Sequence, residues 1–311
     1  MTRPLVALTG ATGFIGRHLL RELPGLGYRI RVLLRRPAHV PPGATSAVIG
    51  DIASPGNMAA ALRDVDLVIH SAALAHAMSG RPEDDYRAIN TQGTLALARA
   101  AERAGVTRFV FLSSIRAQSG PAAAEVLTES LPARPTDAYG RSKLEAEEGL
   151  AALGIDWVAL RPVLVYGAGV KGNMAQLLAL ARSGWPLPLG GLTGRRSLLS
   201  VDNLVAALDT VLRVDGAIRR PLIVADPGPV TVPEMITALR RGLGRGPGLI
   251  PVPTAALRAA AGLAGRAEAF GRISESLVAD PAALRRLGWQ PPVATPDGLA
   301  ALARESAATG A

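Results

Sequence analysis

Short, almost wholly apolar runs alternate with segments of helical periodicity through the first half of the chain. The apolar runs read "PLVALTG" (4–10), "YRIRVLLRR" (28–36), "SAVIGD" (46–51), "DLVIHSAA" (66–73), "RFVFLSS" (108–114) and "DWVALRP" (156–162). Between them, helical spacing of apolar positions appears over 13–23, 56–64, 87–104 and 138–152. Apolar strands separated by helices are typical of a parallel sheet covered on both faces. Because such crossovers are right-handed, the pattern predicts an α/β fold with a doubly wound, Rossmann-type parallel sheet.

The pattern loosens after about residue 165. A Gly/Pro-rich stretch leads into a helical pattern in "VDNLVAALDTVL", for which we predict Asp202 as the N-cap. A strand pattern in "PLIVAD", a helical pattern in "TVPEMITALRRGL" and short helices around "LRRLGWQPPV" follow. We predict a Rossmann domain over 1–165 and a smaller C-terminal lobe over 166–311, with some of its elements returning to the sheet.

Three glycines lie between the first predicted strand and the first predicted helix, in "LTGATGFIG". Gly10 permits a tight turn, Gly13 lets backbone approach a pyrophosphate, and Gly16 allows close packing of helix on strand. Phe14 and Ile15 open the helix, whose unpaired N–H groups and positive dipole end attract an anion. The domain over 1–165 is therefore predicted to bind a dinucleotide, with these five residues at the cofactor.

The end of the second strand distinguishes NAD from NADP in this kind of fold, because an acid there accepts from the ribose hydroxyl and an arginine accommodates a 2′-phosphate. Here the strand ends in Arg35 and Arg36. We predict NAD or NADP as the cofactor, and these arginines favour NADP. Asp51, after the third strand, is placed to accept from the adenine amino group.

Tyr139 and Lys143 in "YGRSK" are spaced i, i+4, which puts both side chains on one face of a helix. The chain has 34 Lys and Arg residues, of which only Lys143 and Lys171 are lysines, so a lysine at this position stands out. A tyrosine titrates near ~10, and a nearby ammonium favours its phenolate. We therefore predict that Tyr139 is a general acid/base and that Lys143 favours its phenolate. The alternative interpretation is a packed tyrosine beside a surface lysine.

Several motifs together resemble the extended short-chain dehydrogenase/reductase family, which includes nucleotide-sugar epimerases and dehydratases. They are "TGATGFIG", "GDI" (50–52), "HSAA" (70–73), "FLSS" (111–114), "YGRSK" and "RPVLVYG" (161–167). The resemblance implies an enzyme that moves a hydride between a sugar carbon and NAD(P), with a bound 4-keto sugar. It makes Tyr139 the general acid/base, Lys143 the residue that tunes it, and Ser114 a hydrogen-bonding partner of the same sugar oxygen.

The resemblance also implies the remaining contacts. Along the cofactor it places Ile52, Ala72, Ser113 and Pro162, together with Tyr139 and Lys143. In the C-terminal lobe, which it makes the substrate-binding lobe, Asn173 lies near the uracil and phosphate and Arg196 and Arg272 contact the phosphates. One position departs from the pattern, because Leu164 stands where many members of the family have asparagine.

Three functions remain open on the sequence. The first is a 4-epimerase, which the motifs "SSIRAQSG" and "GVKGNM" direct by resemblance to a UDP-N-acetylhexosamine. The second is an NADPH-dependent reductase of a UDP-4-keto-6-deoxy amino sugar, which Arg35 and Arg36 favour. The third is a non-catalytic NAD(P)-binding subunit. A lipid-linked sugar substrate is a variant indicated by the basic, apolar stretch near 252–272.

Composition restricts the classes of partner and ligand that we expect this chain to bind. The net charge is +9, but the arginines are scattered and aromatic residues make up 4%, so we predict no nucleic-acid binding. The chain has no cysteine, and its four histidines lack ligand spacing, which predicts neither disulfides nor a metal site. Without a leader pattern or a membrane-length apolar run, we expect a cytoplasmic protein with no stable membrane insertion. The resemblance implies a homodimer.

Overall fold

In a computed structural model of the chain, the structure describes residues 3–74 and 81–308, except for the side chains of Glu268, Ala269 and Arg272. The strands are β1 Leu5–Thr9, β2 Arg29–Leu34, β3 Thr45–Val48, β4 Leu67–His70, β5 Arg108–Leu112, β6 Trp157–Pro162, β7 Leu164–Tyr166, β8 Arg195–Arg196, β9 Leu198–Ser200, β10 Arg220–Val224 and β11 Val230–Thr231. The α-helices are α1 Phe14–Glu22, α2 Met58–Ala61, α3 Glu83–Tyr86, α4 Gly93–Arg103, α5 Ala138–Ala151, α6 Asn173–Arg182, α7 Val201–Arg213, α8 Val232–Gly242, α9 Thr254–Leu263, α10 Ala267–Ser274, α11 Ala282–Arg285 and α12 Thr295–Ala308.

Seven strands form one parallel sheet in the order β10-β6-β5-β4-β1-β2-β3. The order reverses between β1 and β4, where Thr9 pairs with His70 at the carboxyl ends of the two strands. Open α/β sheets bind their ligands in the crevice outside such a reversal point. The predicted doubly wound parallel sheet is confirmed, and its crevice lies beside the glycine loop.

The sheet is buried on both faces because its strands are apolar throughout. Side chains point alternately to opposite faces of a strand. In β1, Val6 and Leu8 join one core cluster, whereas Leu5 and Ala7 join the cluster on the other face. The near-continuous apolar runs in the sequence therefore correspond to strands without a solvent face.

The C-terminal half contributes both to this sheet and to a smaller lobe. β10 pairs with β6, and the buried Leu204, Leu208 and Val211 of α7 belong to the same core cluster as the sheet. The lobe has its own core, formed by residues of α6, α8 and α12. Two small strand pairs, β7 with β9 and β8 with β11, accompany it.

Three local features differ from the sequence expectations. Ser200, and not Asp202, is the N-cap of α7, since the Ser200 hydroxyl accepts from the Asp202 amide at 3.2 Å. The helix expected over 87–104 begins with a π-helical segment, Arg87–Gln92. At the C-terminus, where only short helices are expected, α12 runs for 14 residues and packs against α8. Its buried Leu299, Leu302 and Ala303 keep the i, i+3, i+4 spacing of a packed helix.

Candidate active site

Two positions of the glycine loop, Gly10 and Gly16, have no room for a side chain. Gly10 has φ +73, and a Cβ there would lie 2.6 Å from the Ser71 hydroxyl and 2.7 Å from the Ala72 nitrogen. A Cβ on Gly16 would lie 2.1 Å from the carbonyl oxygen of Gly10. Since carbon and oxygen cannot approach so closely, both positions require glycine. The loop therefore brings β1, the end of β4 and the start of α1 into direct backbone contact.

The first turn of α1 is open to an anion. Gly13 is the N-cap and provides no side-chain cap, and its amide donates to the Gly10 carbonyl at 2.9 Å. Phe14 and Ile15 lie at the start of the helix, where the first N–H groups have no partner within the helix. This bare backbone cradle fits the pyrophosphate of a dinucleotide.

A hydrogen-bonded histidine joins the strands at the crevice. His70 is fully buried, its Nδ1 lies 2.7 Å from the Thr9 hydroxyl, and its Nε2 lies 3.0 Å from the Thr94 hydroxyl. The Thr9 hydroxyl also accepts from the amides of Ser71 and Ala72, at 3.1 Å each. Burial lowers the pKa of His70 to about 3, and the Lys143 charge acts in the same direction. The ring is therefore a neutral structural element beside the backbone of Ala72.

At the predicted adenosine end, Arg35 and Asp51 form an ion pair. The Arg35 Nη1 lies 3.7 Å from the Asp51 carboxylate, and both side chains are more than half exposed. Arg36 is exposed beside them, and Ile52 packs half-buried against the core cluster under β3. An exposed pair at this distance is weakly held, so both groups stay available to a ligand.

Ser114, Tyr139 and Lys143 lie at the carboxyl end of β5. Ser114 follows the strand and hydrogen-bonds the Tyr139 hydroxyl. Lys143 lies one helical turn after Tyr139 in α5, with its Nζ 5.9 Å from the centre of the tyrosine ring. The structure therefore brings together the three residues to which the sequence assigns the chemistry, and their individual roles remain predictions.

Lys143 is enclosed beneath the site. The residue is 1% exposed, its Nζ donates to the Leu112 carbonyl at 2.8 Å, and the ammonium lies 4.4 Å from the centre of the Phe111 ring. Burial lowers the pKa of Lys143 to about 7, while the Glu147 carboxylate opposes that shift. Near neutral pH the amine is therefore divided between charged and neutral forms.

The Tyr139 phenol keeps its proton at neutral pH in this arrangement. Burial raises the pKa of Tyr139 to about 12, the hydrogen bond with Ser114 lowers it, the Asp137 charge raises it, and the Arg116 charge lowers it. The sequence assigns the lowering of the Tyr139 pKa to Lys143. In the structure the Arg116 charge lowers this pKa, while the Lys143 ammonium donates to the Leu112 carbonyl at the end of β5, and the tuning role of Lys143 stays a prediction.

Arg116 and Asp137 connect the turn that carries Ser114 to the helix that carries Tyr139. Arg116 lies in a single 3₁₀ turn after Ser114, and its amide donates to the Ser114 hydroxyl at 3.1 Å. Its guanidinium forms an ion pair with Asp137, whose other oxygen caps α5 by accepting from Gly140 at 2.7 Å. The pair therefore holds the turn with Ser114 against the helix with Tyr139.

A buried ionic network lies under β5 and β6. Glu147, one turn after Lys143, accepts hydrogen bonds from the Ser113 hydroxyl and from Arg161. Arg161 also donates to Gln118. Ser113 therefore directs its hydroxyl into the core, and any cofactor contact it makes uses its backbone. Pro162 ends β6 beside this network and is buried.

The predicted substrate residues are dispersed. Arg196 is half-buried and donates to the carbonyls of Glu275 and Pro121 at 3.0 Å each. Burial lowers its pKa, and the Arg116 charge adds to that effect, so Arg196 lies within electrostatic reach of Arg116. Asn173 is exposed as the first residue of α6. The side chain of Arg272 lies outside the described residues.

The departure at Leu164 leaves an apolar side chain 45% exposed in β7. An amide at this position could hydrogen-bond a ligand, whereas leucine offers only apolar contact. Among the residues described, no group of three or more His, Asp or Glu side chains is arranged to hold a metal ion.

Sequence reasoning missed four contributors: Asn90, Arg116, Asp137 and Glu147. Asn90 is buried in the π-helical segment, donates to Leu74 and to the Ser142 hydroxyl, and accepts from the Leu74 amide, which ties the segment after β4 to α5. Asp137 has a local signal, because Asp before a helical pattern is a common N-cap. The other three act through contacts distant in sequence and have no such signal.

Comparison with known proteins shows the family to which the sequence is similar. The sequence profile of the NAD dependent epimerase/dehydratase family matches residues 6–224. A UDP-glucose 4-epimerase from Vibrio cholerae is 35% identical over 305 residues, covering 94% of this chain and 92% of that protein. The N-acetyl-alpha-D-glucosaminyl-diphospho-ditrans,octacis-undecaprenol 4-epimerase of Escherichia coli O157:H7 is 31% identical over 210 residues, covering 64% of this chain and 60% of that protein.

The fold is similar to that of a solved relative. MoeE5 in complex with UDP-glucose and NAD superposes with a TM-score of 0.75 at 29% identity, covering 98% of this chain and 99% of that one. The likeness spans both the sheet and the C-terminal lobe.

Proposed function

The chain belongs to the NAD dependent epimerase/dehydratase family and is an enzyme of the extended short-chain dehydrogenase/reductase type, and on that premise we propose that it is a 4-epimerase of a UDP-N-acetylhexosamine with NAD as its cofactor. The observation that carries the proposal is the hydrogen bond between Ser114 and Tyr139 at the carboxyl edge of β5, next to the crevice between β1 and β4. That edge is where ligands of open α/β sheets bind.

Tyr139 and Ser114 are assigned the proton steps. Tyr139 takes the proton of the sugar 4-hydroxyl and returns it to the same oxygen, and Ser114 hydrogen-bonds that oxygen. The protonated phenol found here suits the return of the proton, because a phenol with a pKa of about 12 is a donor at neutral pH. The removal of the proton requires a lower pKa, which Ser114 and Arg116 favour.

A bound nicotinamide would supply hydride transfer to and from the sugar carbon and, when oxidised, a positive charge that favours the phenolate of Tyr139. The residues that would hold the cofactor are the loop glycines at the pyrophosphate, Asp51 at the adenosine, and Lys143 on the side of the nicotinamide ribose. Glu147 keeps part of the charge on Lys143, because its carboxylate raises the pKa of the amine against burial.

The choice of NAD over NADP rests on the ion pair at the end of β2. Arg35 by itself favours NADP, as the sequence predicts. The Asp51 carboxylate 3.7 Å away would repel the 2′-phosphate that Arg35 attracts. The solved structure of MoeE5 in complex with UDP-glucose and NAD supports the same choice.

Inversion at the sugar carbon requires the transient 4-keto sugar to present its other face. The lobe must therefore hold the nucleotide while the sugar turns. Arg196 is suited to the diphosphate, because its guanidinium is anchored to two loop carbonyls and stays positively charged. The choice of an N-acetylhexosamine is supported by the Escherichia coli relative, whose name states an N-acetylglucosaminyl diphosphate.

The test is interconversion of UDP-N-acetylglucosamine and UDP-N-acetylgalactosamine by purified protein without added cofactor, followed by proton NMR of the anomeric signals. We expect both sugars to reach the same equilibrium mixture, with NAD released on denaturing the protein. If the protein instead consumes NADPH stoichiometrically with a UDP-4-keto-6-deoxy amino sugar, the proposal of an epimerase is wrong and the protein is the reductase. If it binds nucleotide but turns over neither substrate, the protein is the non-catalytic NAD(P)-binding subunit.

A further inference from the structure

The lobe carries large apolar side chains that are exposed on α9 and on the segments that precede it in the chain. We call this set the α9 surface and define it as α9, Trp185 and Ile250. Trp185 is 79% exposed, Ile250 is 48% exposed, and Leu263 at the end of α9 is 94% exposed. Solvent-facing side chains of this size seldom occur together without a partner.

Helix α9 is attached along one narrow side. None of its ten residues is buried, and only Leu257 and Ala261 pack against the small core cluster below it. The outward positions are alanine, glycine and leucine, with Arg258 as the charged residue among them. A surface helix normally turns a polar face to water. The outer face of α9 is largely apolar instead, which is unfavourable in contact with solvent.

Backbone contacts join the segment that follows Trp185 to the segment that leads through Ile250 into this helix. The Leu187 amide donates to the Gly248 carbonyl at 2.9 Å, and the Ile250 amide donates to Leu187 at 2.8 Å. The Thr254 hydroxyl, at the start of α9, donates to the Gly191 carbonyl at 2.9 Å. The segment after Trp185 therefore runs along the segment that leads from Ile250 into α9.

The surface is also basic. From 235 to 267 the sequence has five arginines and no aspartate or glutamate. Arg240 is buried against backbone carbonyls and Arg241 pairs with Asp297. Three arginines remain exposed around the apolar surface, at Arg245, Arg258 and Arg266.

We propose that the α9 surface docks the enzyme on an anionic phospholipid bilayer, with Trp185 and Leu263 entering the interface and the exposed arginines facing lipid phosphates. Tryptophan favours the boundary between water and acyl chains, and basic side chains near a bilayer are attracted to anionic lipid. Nucleic acid would match the arginines but not the exposed alanines and leucine. Among the described residues no helix is long and apolar enough to cross a membrane, so the contact would be peripheral.

Docking would orient the active site. The Glu275 carbonyl that anchors Arg196 directly follows α10, which packs against α9. The enzyme would therefore present its predicted diphosphate contact close to the bilayer, where a lipid-linked sugar diphosphate would be reached. The docking itself requires no such substrate and does not depend on the proposed epimerase activity.

The three tryptophans make a direct test available. Trp157 and Trp289 are 3% and 1% exposed, so a change in tryptophan fluorescence on adding vesicles reports Trp185. Full-length protein without substrate would be mixed with phosphatidylcholine vesicles, either pure or containing phosphatidylglycerol. We expect cosedimentation and a blue shift with the anionic vesicles only, both weakened by salt, and quenching by brominated acyl chains.

Two double variants separate the apolar contribution to vesicle binding from the electrostatic one. The double variant with Trp185→Ser and Leu263→Ser should abolish cosedimentation. The double variant with Arg258→Gln and Arg266→Gln should weaken the affinity for anionic vesicles by about fivefold per arginine. Leu26→Ser, at an exposed leucine between α1 and β2, is the matched control and should bind like the parent protein.

Four results would overturn the proposal. The first two are equal binding to neutral and anionic vesicles, and no binding to either. The third is a blue shift of Trp185 that follows protein concentration in the absence of lipid, which would make the surface an interface between two copies. The fourth is preferential binding of single-stranded DNA over anionic vesicles, which would assign the arginines to nucleic acid instead. Each is measured without an activity assay, so failure here leaves the epimerase test unaffected.

Discussion

Arg116 and Asp137 form an ion pair that holds the turn of Ser114 against the helix of Tyr139. Asp137 serves the helix as its N-cap at the same time. The two charges act in opposite directions on Tyr139, because Asp137 raises its pKa and Arg116 lowers it. One pair of side chains thus positions the proposed acid/base and also acts on its pKa, in addition to the larger effects of burial and of the Ser114 hydrogen bond.

Substituting each partner should shift the pH dependence of turnover in opposite directions. Arg116→Gln removes the charge that favours the phenolate, so the pH at which kcat is half-maximal should rise by about one unit. Asp137→Asn keeps a capping oxygen but removes the opposing charge, so that pH should fall. The measurement is kcat against pH for both variants. Shifts of the same sign would mean that the pair acts through position alone.

Tyr139→Phe should reduce kcat by about 10²-fold to 10⁴-fold, because the proton relay loses the phenol hydroxyl that hydrogen-bonds Ser114. Nucleotide affinity should stay unchanged, as measured by fluorescence titration with NAD. The matched control is Tyr28→Phe, which removes a phenol hydrogen bond to Asp209 at 2.8 Å outside the site. That variant should lose about 1 kcal/mol of stability and keep its turnover. Equal activity of both variants would contradict the assigned role.

Lys143 should make stability depend on pH. Its pKa is about 7 in the folded protein, whereas an unperturbed lysine has a pKa of 10.5, so between these values the unfolded state binds more protons. The free energy of unfolding should therefore rise with pH across this window, by at most about 1.4 kcal/mol per pH unit. Below pH 7 the amine is charged in both states and its burial is fully destabilising.

The measurement is urea denaturation from pH 6 to pH 10, taken as the difference between the parent protein and Lys143→Met. The difference isolates this one group from other titrating side chains. A difference that does not change with pH would mean that the folded pKa of Lys143 is not lowered.

Gly16→Ala should destabilise the protein by about 2 kcal/mol or more and weaken NAD binding, because the added Cβ meets the Gly10 carbonyl oxygen at 2.1 Å. The matched control is Gly25→Ala in the turn after α1, where the Cβ would come no closer than 3.4 Å to the Glu22 carbonyl. The midpoint of thermal unfolding, measured for both variants with and without NAD, checks the effects on stability and on NAD binding. Comparable midpoints for the two variants would show that the loop has room to relax.

Asp51→Asn should shift the cofactor preference toward NADP by about fivefold, since it removes the carboxylate that offsets Arg35. Arg35→Gln should shift the preference toward NAD by a similar factor. The ratio of the two dissociation constants is the quantity to compare. An unchanged ratio in both variants would place the ribose away from this pair.

The parallel sheet, the glycine loop and the family could be predicted from the amino-acid sequence, because each depends on local order along the chain. Apolar strands and helical periods alternate, Gly10 and Gly16 stand at the spacing that a strand–turn–helix contact needs, and Tyr139 and Lys143 share a helix face by their spacing alone. The doubly wound fold and the family are confirmed. The roles of the individual site residues remain predictions.

Which charges act on which groups depends instead on how the elements pack. Burial sets the pKa of Lys143 and Tyr139, and Arg116 reaches Tyr139 because the turn after β5 packs on the first turn of α5. The exposure of Trp185 likewise depends on the packing of the lobe, since a neighbouring proline does not decide it: Trp289, which is followed closely by two prolines, is 1% exposed. Electrostatic and solvent contacts are made between residues distant in the chain, so they exist only once the elements have packed.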